Sequence, residues 1–393
     1  MNTTNSSRQR EIWVDWMRIS ACFLVMLVHS TEPFYLGGDG SLILTRADAF
    51  WVSFFDTFAR ACVPLFVVAS SYLQFPLHYS TGEFARRRAG RILIPFVFWS
   101  VIYALINPNP VQNFKDLLLN FNYVAGHLWF VYMLIGLYVL MPLLSPWAEK
   151  VGRRELQVYL LLCLLTTLIP FVREMGIGDN AVCVYGPSGI PMQAHYPLWG
   201  EASWNEFGVF YYFSGFMGYM FLGLYLRKFV GDMSWGKTLA VALPTWFAGF
   251  AICFFGFLRR VFATAGGGFP IGGGVDLAAG WETPWFNNTI GVVLMTIGWV
   301  LIFRKFNCGG RFFSRVVLPI SKASYGMYLC HMVALGFFAG LFRNALGIGE
   351  CGVLGVMTTP VEILLTAVCS FISVAIFCTV FQKIPRLGKW VIG

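Results

Sequence analysis

The sequence predicts an all-α, polytopic membrane protein with about ten transmembrane helices and with both termini in the cytoplasm. Hydrophobic residues make up 57% of the 393-residue chain and charged residues only 12%, about half of the ~25% that is usual for globular proteins. Apolar runs recur along the chain, and basic residues are concentrated in alternate connecting segments. So few charged residues cannot cover a soluble protein. The composition therefore excludes a soluble enzyme, and nucleic acid is not an expected partner despite the net charge of +9.

Ten apolar runs of about 20 residues each are long enough to cross a bilayer as helices. Their approximate bounds are 12–36, 50–75, 92–107, 123–144, 156–172, 207–226, 238–258, 285–303, 316–342 and 360–381. The two longest connections, about 173–206 and 259–284, are rich in Gly, Pro and aromatic residues and are expected to be loops. Neither is long enough for a separate domain. The chain is therefore predicted to form one transmembrane domain over 1–393, with short tails at about 1–11 and 382–393.

The distribution of basic residues predicts the orientation of these spans. With a cytoplasmic N-terminus, 20 of the 28 Lys and Arg residues fall in cytoplasmic segments and 6 in the opposite loops. Such an excess on one side is typical of cytoplasmic segments. The first apolar run contains Asp15 and Arg18 and has no convincing cleavage site, so it is expected to remain as the first helix.

The first span contains the richest set of ionisable residues, which are costly within a bilayer and therefore candidates for function. Asp15 and Arg18 are three residues apart and can form an ion pair. His29 follows Arg18 by eleven residues, which places both on one helix face with a rise of ~16 Å between them. A phosphate-bearing donor could then be held at Arg18 and reach the imidazole with an extended arm. The alternative is a neutralised Arg18 and a packing His29.

Two further acids lie near these groups in the sequence. Glu32 follows His29 by three residues and could orient the imidazole, or it could be an interfacial acid that faces water. Asp56 and Arg60 are four residues apart in the second span. They could form a structural ion pair, or Arg60 could contact the thioester oxygen of a donor.

Several residues are candidates for contact with an acceptor substrate. His127 and Trp129 enter the fourth span from the outside, and His331 lies at a similar height to His29 in the ninth span by helical rise. These histidines could meet an acceptor, although a packing role is as consistent with His331. The remaining candidates are aromatic residues three apart on the ninth span, for which packing is the common alternative: Tyr325 and Tyr328.

Basic and cysteine residues outside the spans have simpler interpretations. Arg86, Arg87, Arg88 and Arg91 could together form a phosphate site, although the effect of basic residues on membrane orientation is the simpler account of the first three. Cys183 and Cys351 are both predicted outside, where they could form a disulfide or remain free thiols. The spacing of Cys and His residues indicates no metal site.

Five segments resemble, in order, the motifs of the acyltransferase-3 family of integral membrane acyltransferases. The first is the D-x-x-R-x10-H pattern of Asp15, Arg18 and His29. The other four are VPLFVVASSYL (63–73), RRRAGRILIPFVFW (86–99), GHLWFVYMLIGLYVLMPLL (126–144) and ISKASYGMYLCHMVAL (320–335). One departure is Ser71, which stands where the family has Gly. The chain resembles the members that lack an additional esterase-like domain.

The resemblance implies transfer of an acyl group, usually acetyl, from cytoplasmic acetyl-CoA to a hydroxyl of an extracytoplasmic or lipid-linked glycan. It implies that His29 is essential, as a general base or as an acylated intermediate, and that Arg18 and Arg91 contribute to donor binding. The expected partners are acyl-CoA, a glycan acceptor and lipids of a bacterial cytoplasmic membrane, and a homo-oligomer is left open. The alternative function is a secondary transporter or flippase of a glycan-related solute, which would also use ionisable residues within its spans.

Overall fold

The computed structural model describes residues 10–37, 40–119, 123–174, 181–185, 191–195, 213, 215–266, 268–273, 275–342 and 358–393. Helices account for most of them. The helices are α1 Ile12–Thr31, α2 Arg46–Ala59, α3 Cys62–Gln74, α4 Thr81–Ile106, α5 Pro110–Leu119, α6 Trp129–Lys150, α7 Arg153–Thr166, α8 Ile169–Glu174, α9 Met217–Phe229, α10 Trp235–Thr264, α11 Val275–Glu282, α12 Ile290–Phe303, α13 Leu318–Gly340, α14 Thr359–Phe381 and α15 Leu387–Val391. Short 3-10 helices cover Glu32–Phe34, Tyr123–Leu128 and Thr283–Trp285.

Five short strands form two antiparallel sheets beside the helices. β1 (Leu36–Gly37), β2 (Gly40–Ile43) and β5 (Ile271–Gly273) form one sheet, with β2 in the centre. β3 (Ala181–Tyr185) and β4 (Pro191–His195) form the other. Cys183 lies in β3, whereas Cys351 lies outside the described residues. The disulfide between them therefore stays a prediction.

The predicted all-α, polytopic class is confirmed. Seven segments of the described chain are long and apolar enough to cross a membrane, and an eighth is counted if the bent pair Leu277–Trp285 and Ile290–Phe303 is one span. The predicted span at 207–226 coincides with α9 only in part, because residues 207–212 and 214 are not described. The predicted span at 316–342 coincides with the 23-residue α13, which carries Lys322 and His331. The total of ten spans stays a prediction.

One predicted loop is partly helical. The segment 259–284 was expected to be a loop, but α10 continues to Thr264 and α11 forms before a bend of 41° that leads into α12. Only the glycine-rich stretch between α10 and α11 lacks a helix, and it contributes β5. Glycine lowers helix stability, whereas the Ala and Leu residues of α11 favour it. The prediction of a continuous loop was therefore wrong.

The second span is broken between α2 and α3 at Arg60 and Ala61. The cause lies four residues further on, at Pro64, which is the proline of the VPLF motif. Proline has no N–H to donate to the carbonyl of Arg60, and its ring disfavours an α-helical turn there. The break leaves Arg60 at the end of α2, inside a segment that would otherwise be one continuous span.

Close backbone packing at small residues joins neighbouring helices. A Cβ added at Gly249 of α10 would lie 2.8 Å from the backbone nitrogen of Met295 on α12, and still closer to the carbonyl oxygen of Gly291. At the contact between α3 and α9, the hydroxyl of Ser71 donates to the carbonyl of Met220 at 2.6 Å. Gly223 of α9 leaves room for the Ser71 side chain. The departure from the family motif at Ser71 is thus compatible with close helix packing.

Basic side chains hold helix ends together at one end of the bundle. Lys228, at the end of α9, donates to three carbonyl oxygens at the end of α6, those of Ala148, Glu149 and Val151, at 2.9 to 3.1 Å. Lys305, which follows α12, donates to Asp232 at 2.6 Å. This hydrogen bond lowers the pKa of the exposed Asp232 carboxyl. Cations at these positions satisfy carbonyl groups that a helix end leaves free.

The first and last described segments lie at this same end. The side chain of Trp16 donates to the carbonyl of Cys308, which precedes α13, at 3.1 Å. Gln382, directly after α14, donates to the carbonyl of Pro319 at 3.2 Å. Helix α1 therefore begins where α13 begins and where α14 ends. Below, this is called the amino end of the bundle, and the end where α1 stops is called the opposite end.

Candidate active site

His29 and Glu32 form a close pair at the end of α1. Nδ1 of His29 lies 2.7 Å from Oε1 of Glu32, and both side chains are partly exposed, at 20% and 30%. The pair forms because α1 ends at Thr31 and a 3-10 turn at Glu32 brings the carboxylate back beside the imidazole. A carboxylate accepts, so Nδ1 carries the hydrogen and Nε2 keeps a free lone pair. The structure thus forms the contact that would orient His29.

Three histidines from three elements meet beside this pair. The His29 and His331 ring centroids are 5.2 Å apart, and those of His127 and His331 are 5.0 Å apart. The sequence placed these residues at one height, and the structure brings them together laterally. No group of three His, Cys, Asp or Glu side chains is arranged to hold a metal ion in the parts of the chain that the structure describes.

A cavity of about 540 Å³ opens at His29 and Glu32. It lies between the ends of α1 and α4 and the beginning of α6, towards the opposite end of the bundle. Its polar and aromatic lining offers hydrogen-bond donors, acceptors and a stacking surface, as polar substrates require. These lining residues are His29, Glu32, Tyr103, Asn107, His127 and Trp129.

Helix α13 anchors the wall of this cavity through side-chain hydrogen bonds. Tyr103 donates from its hydroxyl to the carbonyl oxygen of Leu329 at 2.9 Å, and Nε2 of His127 lies 3.4 Å from the same oxygen. The hydroxyl of Tyr328 donates to the carbonyl of His127. Tyr328 is buried, and its predicted contact with substrate is not tested by these hydrogen bonds.

Arg60 lies in a network of charged and aromatic groups near the opposite end. It forms an ion pair with Asp56 and lies 3.9 Å from a carboxylate oxygen of Glu282. Its guanidinium is 4.7 Å from the ring centroid of Trp285. Tyr35 donates its hydroxyl to Glu282, and burial, with the carboxylate nearby, raises the pKa of Tyr35. The predicted pair of Asp56 and Arg60 is therefore present, but Arg60 also has a second acidic neighbour.

Arg18 lies at the amino end of the same helix. Within the described part of the chain it makes no hydrogen bond or ion pair, and Tyr138, Asp15, Arg10 and Arg88 are within its electrostatic range. The Arg88 guanidinium packs over the rings of Phe84 and Tyr138 at 5.6 and 5.5 Å, and its Nε is buried without a partner. Two guanidinium groups that form no ion pair with a described residue can bind phosphate groups.

Arg91, assigned to donor binding, and Tyr325, assigned to acceptor binding, lie near Arg88 and Tyr138. Arg91 is exposed on α4, one turn from Arg88. Tyr325 donates to the carbonyl of Ile92 at 2.9 Å and is within electrostatic range of Tyr138. Tyr325 does not line the cavity at His29, and no described contact tests its predicted role with the acceptor.

The expected ion pair between Asp15 and Arg18 is not formed among the described residues. Asp15 instead accepts two hydrogen bonds from Arg10, at 2.7 and 2.8 Å. It accepts a third from the hydroxyl of Ser321 at 2.6 Å. The prediction was wrong because Arg10 lies before α1, outside the helical spacing that suggested Arg18 as partner. Arg18 is left available to another anion.

Sequence reasoning missed some residues of the site and could not single out others. Glu282 fell in a predicted loop, so nothing linked it to Arg60. Arg88 was one of three adjacent arginines, and only the helical phase of α4 distinguishes it from the exposed Arg87. Tyr103 and Asn107, four residues apart at the end of α4, could have been found as polar residues on one helix face.

Comparison with known proteins gives one match. The family model for the acyltransferase-3 group, described as an acyltransferase domain, matches residues 11–381. Neither the curated proteins nor the solved structures gave a match. The matched range includes every candidate site residue named above.

Proposed function

The chain belongs to the acyltransferase-3 family, and we propose that it transfers an acetyl group from cytoplasmic acetyl-CoA to a hydroxyl of an extracytoplasmic or lipid-linked glycan. The observation that carries this proposal is the pair of chemical groups on α1. Arg18 forms no ion pair with a described residue, although Asp15 lies within electrostatic range, and His29 with Glu32 faces a cavity at the other end of the same helix. Their separation along the helix is about 16 Å, which is of the order of an extended pantetheine arm.

The guanidinium groups support donor binding at the amino end of the bundle. Arg18 and Arg88 would bind the phosphates of CoA, with Arg91 as an exposed third cation. Because the nucleotide is charged, it would remain at the cytoplasmic edge. Only the uncharged arm would extend along α1 towards His29. The excess of basic residues in the segments predicted to be cytoplasmic supports this orientation.

We assign the general-base role to His29. Its Nε2 lone pair would take the proton of the acceptor hydroxyl as the oxygen attacks the thioester carbon. Glu32 accepts the hydrogen of Nδ1 and would stabilise the positive charge that develops on the imidazole. The C–S bond breaks, sulfur leaves with the electron pair, and the proton passes from His29 to sulfur. The products are an acetylated hydroxyl and CoA thiol.

The cavity supports a sugar as the acceptor. Trp129 is partly exposed, at 36%, and offers a ring on which a sugar face can pack. Asn107, His127 and Tyr103 line the same cavity and can meet hydroxyl groups. The cavity thus combines polar groups with an aromatic ring, as expected for a site that binds a neutral glycan.

Sealed membrane vesicles of known orientation test the proposal. Radiolabelled acetyl-CoA is supplied on only one face, and label is measured in the glycans of the vesicle membrane. We expect incorporation when acetyl-CoA is on the cytoplasmic face and none when it is only on the other face. Matched vesicles with His29→Ala should incorporate no label.

Two results would contradict the proposal. Label incorporated equally from either face would exclude the bridging arrangement of Arg18 and His29. Solute flux without any release of CoA thiol would instead favour the transporter or flippase.

A further inference from the structure

His331 has one ring nitrogen without a partner in a fully buried position. Its side chain is 0% exposed. Nδ1 lies 2.5 Å from the carbonyl oxygen of Tyr328, one turn earlier on α13. Because a carbonyl only accepts, Nδ1 carries the hydrogen and Nε2 keeps a lone pair. Nε2 is buried and makes no hydrogen bond to any described residue.

An unpaired buried acceptor is costly, at about 1–3 kcal/mol, so this nitrogen calls for an explanation. Packing alone does not provide one, since the hydrogen bond of Nδ1 already fixes the ring. The neighbouring rings are those of His29, His127 and Tyr328, and the hydroxyl of Tyr328 already donates to the carbonyl of His127. Nε2 of His127 is directed to the carbonyl of Leu329, so its hydrogen is already used.

His29 is the remaining neighbour that can gain a hydrogen. Its Nδ1–H is held by Glu32, whereas its Nε2 makes no hydrogen bond to a described residue. The two rings are inclined at 41°, and His29 borders the cavity. At a centroid separation of 5.2 Å, the two rings are close enough for an N–H···N hydrogen bond when their Nε2 atoms face each other.

We propose that Nε2 of His331 accepts a hydrogen bond from the Nε2–H group that His29 gains when it deprotonates the acceptor. His331 is then a positioning residue that acts through His29, and this role rests on the acyl transfer proposed above. The imidazolium of His29 would have both of its N–H groups paired, one with Glu32 and one with His331.

His331 neither gives up nor takes a proton in the reaction. The O–H bond of the acceptor breaks as the N–H bond of His29 forms, and the ester C–O bond forms as the thioester C–S bond breaks. The proton stays on His29 until it passes to the sulfur that leaves. His331 keeps its own hydrogen on Nδ1 and never becomes charged, which suits a fully buried ring.

Two amide substitutions separate the two nitrogens of His331. The amide nitrogen of His331→Asn can replace Nδ1 and donate to the Tyr328 carbonyl, but nothing replaces Nε2. The longer side chain of His331→Gln can bring its carbonyl oxygen near the Nε2 position as an acceptor. We expect kcat for acetyl transfer to fall about 10- to 100-fold in His331→Asn, with KM for acetyl-CoA within about twofold of wild type. His331→Gln should retain about tenfold more activity than His331→Asn.

Controls distinguish this role from packing. Cys330→Ala alters the same buried turn of α13 without changing an imidazole and should keep wild-type kcat. All variants are compared by thermal unfolding in detergent. Wild-type kcat in His331→Asn would overturn the inference, as would equal losses in the Asn and Gln variants. If His331→Asn does not fold, the test depends on His331→Gln alone. A His331→Gln variant of normal stability whose kcat is reduced more than about tenfold would overturn the inference, and a near-normal kcat would support it. An inactive wild-type protein in the same assay would count against the proposed acyl transfer itself.

Discussion

The hydroxyl of Thr31 donates a hydrogen bond of 2.7 Å to the buried carboxylate of Asp56. Thr31 lies two residues beyond His29 on α1, and Asp56 lies on α2, where it forms an ion pair with Arg60. The end of α1 that carries the candidate base is therefore tied to the charged network behind it. The position of His29 depends on groups that do not line the cavity.

Loss of Arg60 should destabilise the protein. In Arg60→Ala, the fully buried Asp56 carboxylate loses the guanidinium that pairs with it, and Glu282 loses the same guanidinium at 3.9 Å. Removing one partner of a buried ion pair typically costs about 3–5 kcal/mol. We expect a clearly lower thermal unfolding temperature in detergent. Arg87→Ala is the control, because Arg87 is exposed and its contacts, an ion pair with Glu83 and a cation–π contact with Tyr79, lie on the surface; equal stability of the two variants would contradict a structural role for the network.

Glu32→Gln should reduce the rate of transfer rather than donor binding. The amide oxygen can still accept a hydrogen bond from His29, but it cannot stabilise a positive imidazolium by charge. We expect kcat to fall about 10- to 100-fold while KM for acetyl-CoA changes little. The assay measures release of CoA thiol in the presence of acceptor. Glu83→Gln, an exposed change on α4, is the control, and normal kcat in Glu32→Gln would show that this carboxylate does not assist His29.

Lysine substitutions should weaken donor binding at the amino end. Arg18→Lys and Arg88→Lys keep the charge but remove the planar guanidinium that can contact a phosphate through two N–H groups. We expect KM for acetyl-CoA to rise about tenfold in each, with a smaller change in KM for the acceptor. Arg87→Lys, one residue away on the exposed face, should behave as wild type. An unchanged KM in both inward-facing variants, and in Arg91→Ala, would exclude this assignment.

Gly249→Ala should impair folding through the contact of α10 with α12. The added Cβ would lie 2.8 Å from the backbone nitrogen of Met295, so the helices would have to separate. We expect a lower yield of folded protein and a loss of stability of about 1–3 kcal/mol. Gly236→Ala on the same helix meets no atom within 4 Å and is the matched control. Similar yields for both would contradict the importance of this close approach.

The parts of the fold that follow from local sequence were predictable. Long apolar runs gave the helices, and three-residue spacing gave the pair of His29 and Glu32. Contacts that depend on the relative rotation of helices could not be obtained from one sequence. The partner of Asp15 is one example, because Ser321 reaches it from a helix about 300 residues away. The inward direction of Arg88 is another, since α4 has apolar residues on several faces.

Lysine residues that cap helix ends at the amino end of the bundle act at two stages of biosynthesis. If Lys228 helps to orient the nascent chain, its charge acts before the tertiary structure exists. Once α6 and α9 are in place, the same ammonium group closes the exposed carbonyls of α6. In a chain inserted in the inverted orientation, Lys228 would lie on the side of the membrane where basic residues are not enriched. Neutralising Lys228 would therefore disturb both membrane insertion and the docking of α9 against α6. A single substitution would then produce chains with both defects, which membrane proteases degrade.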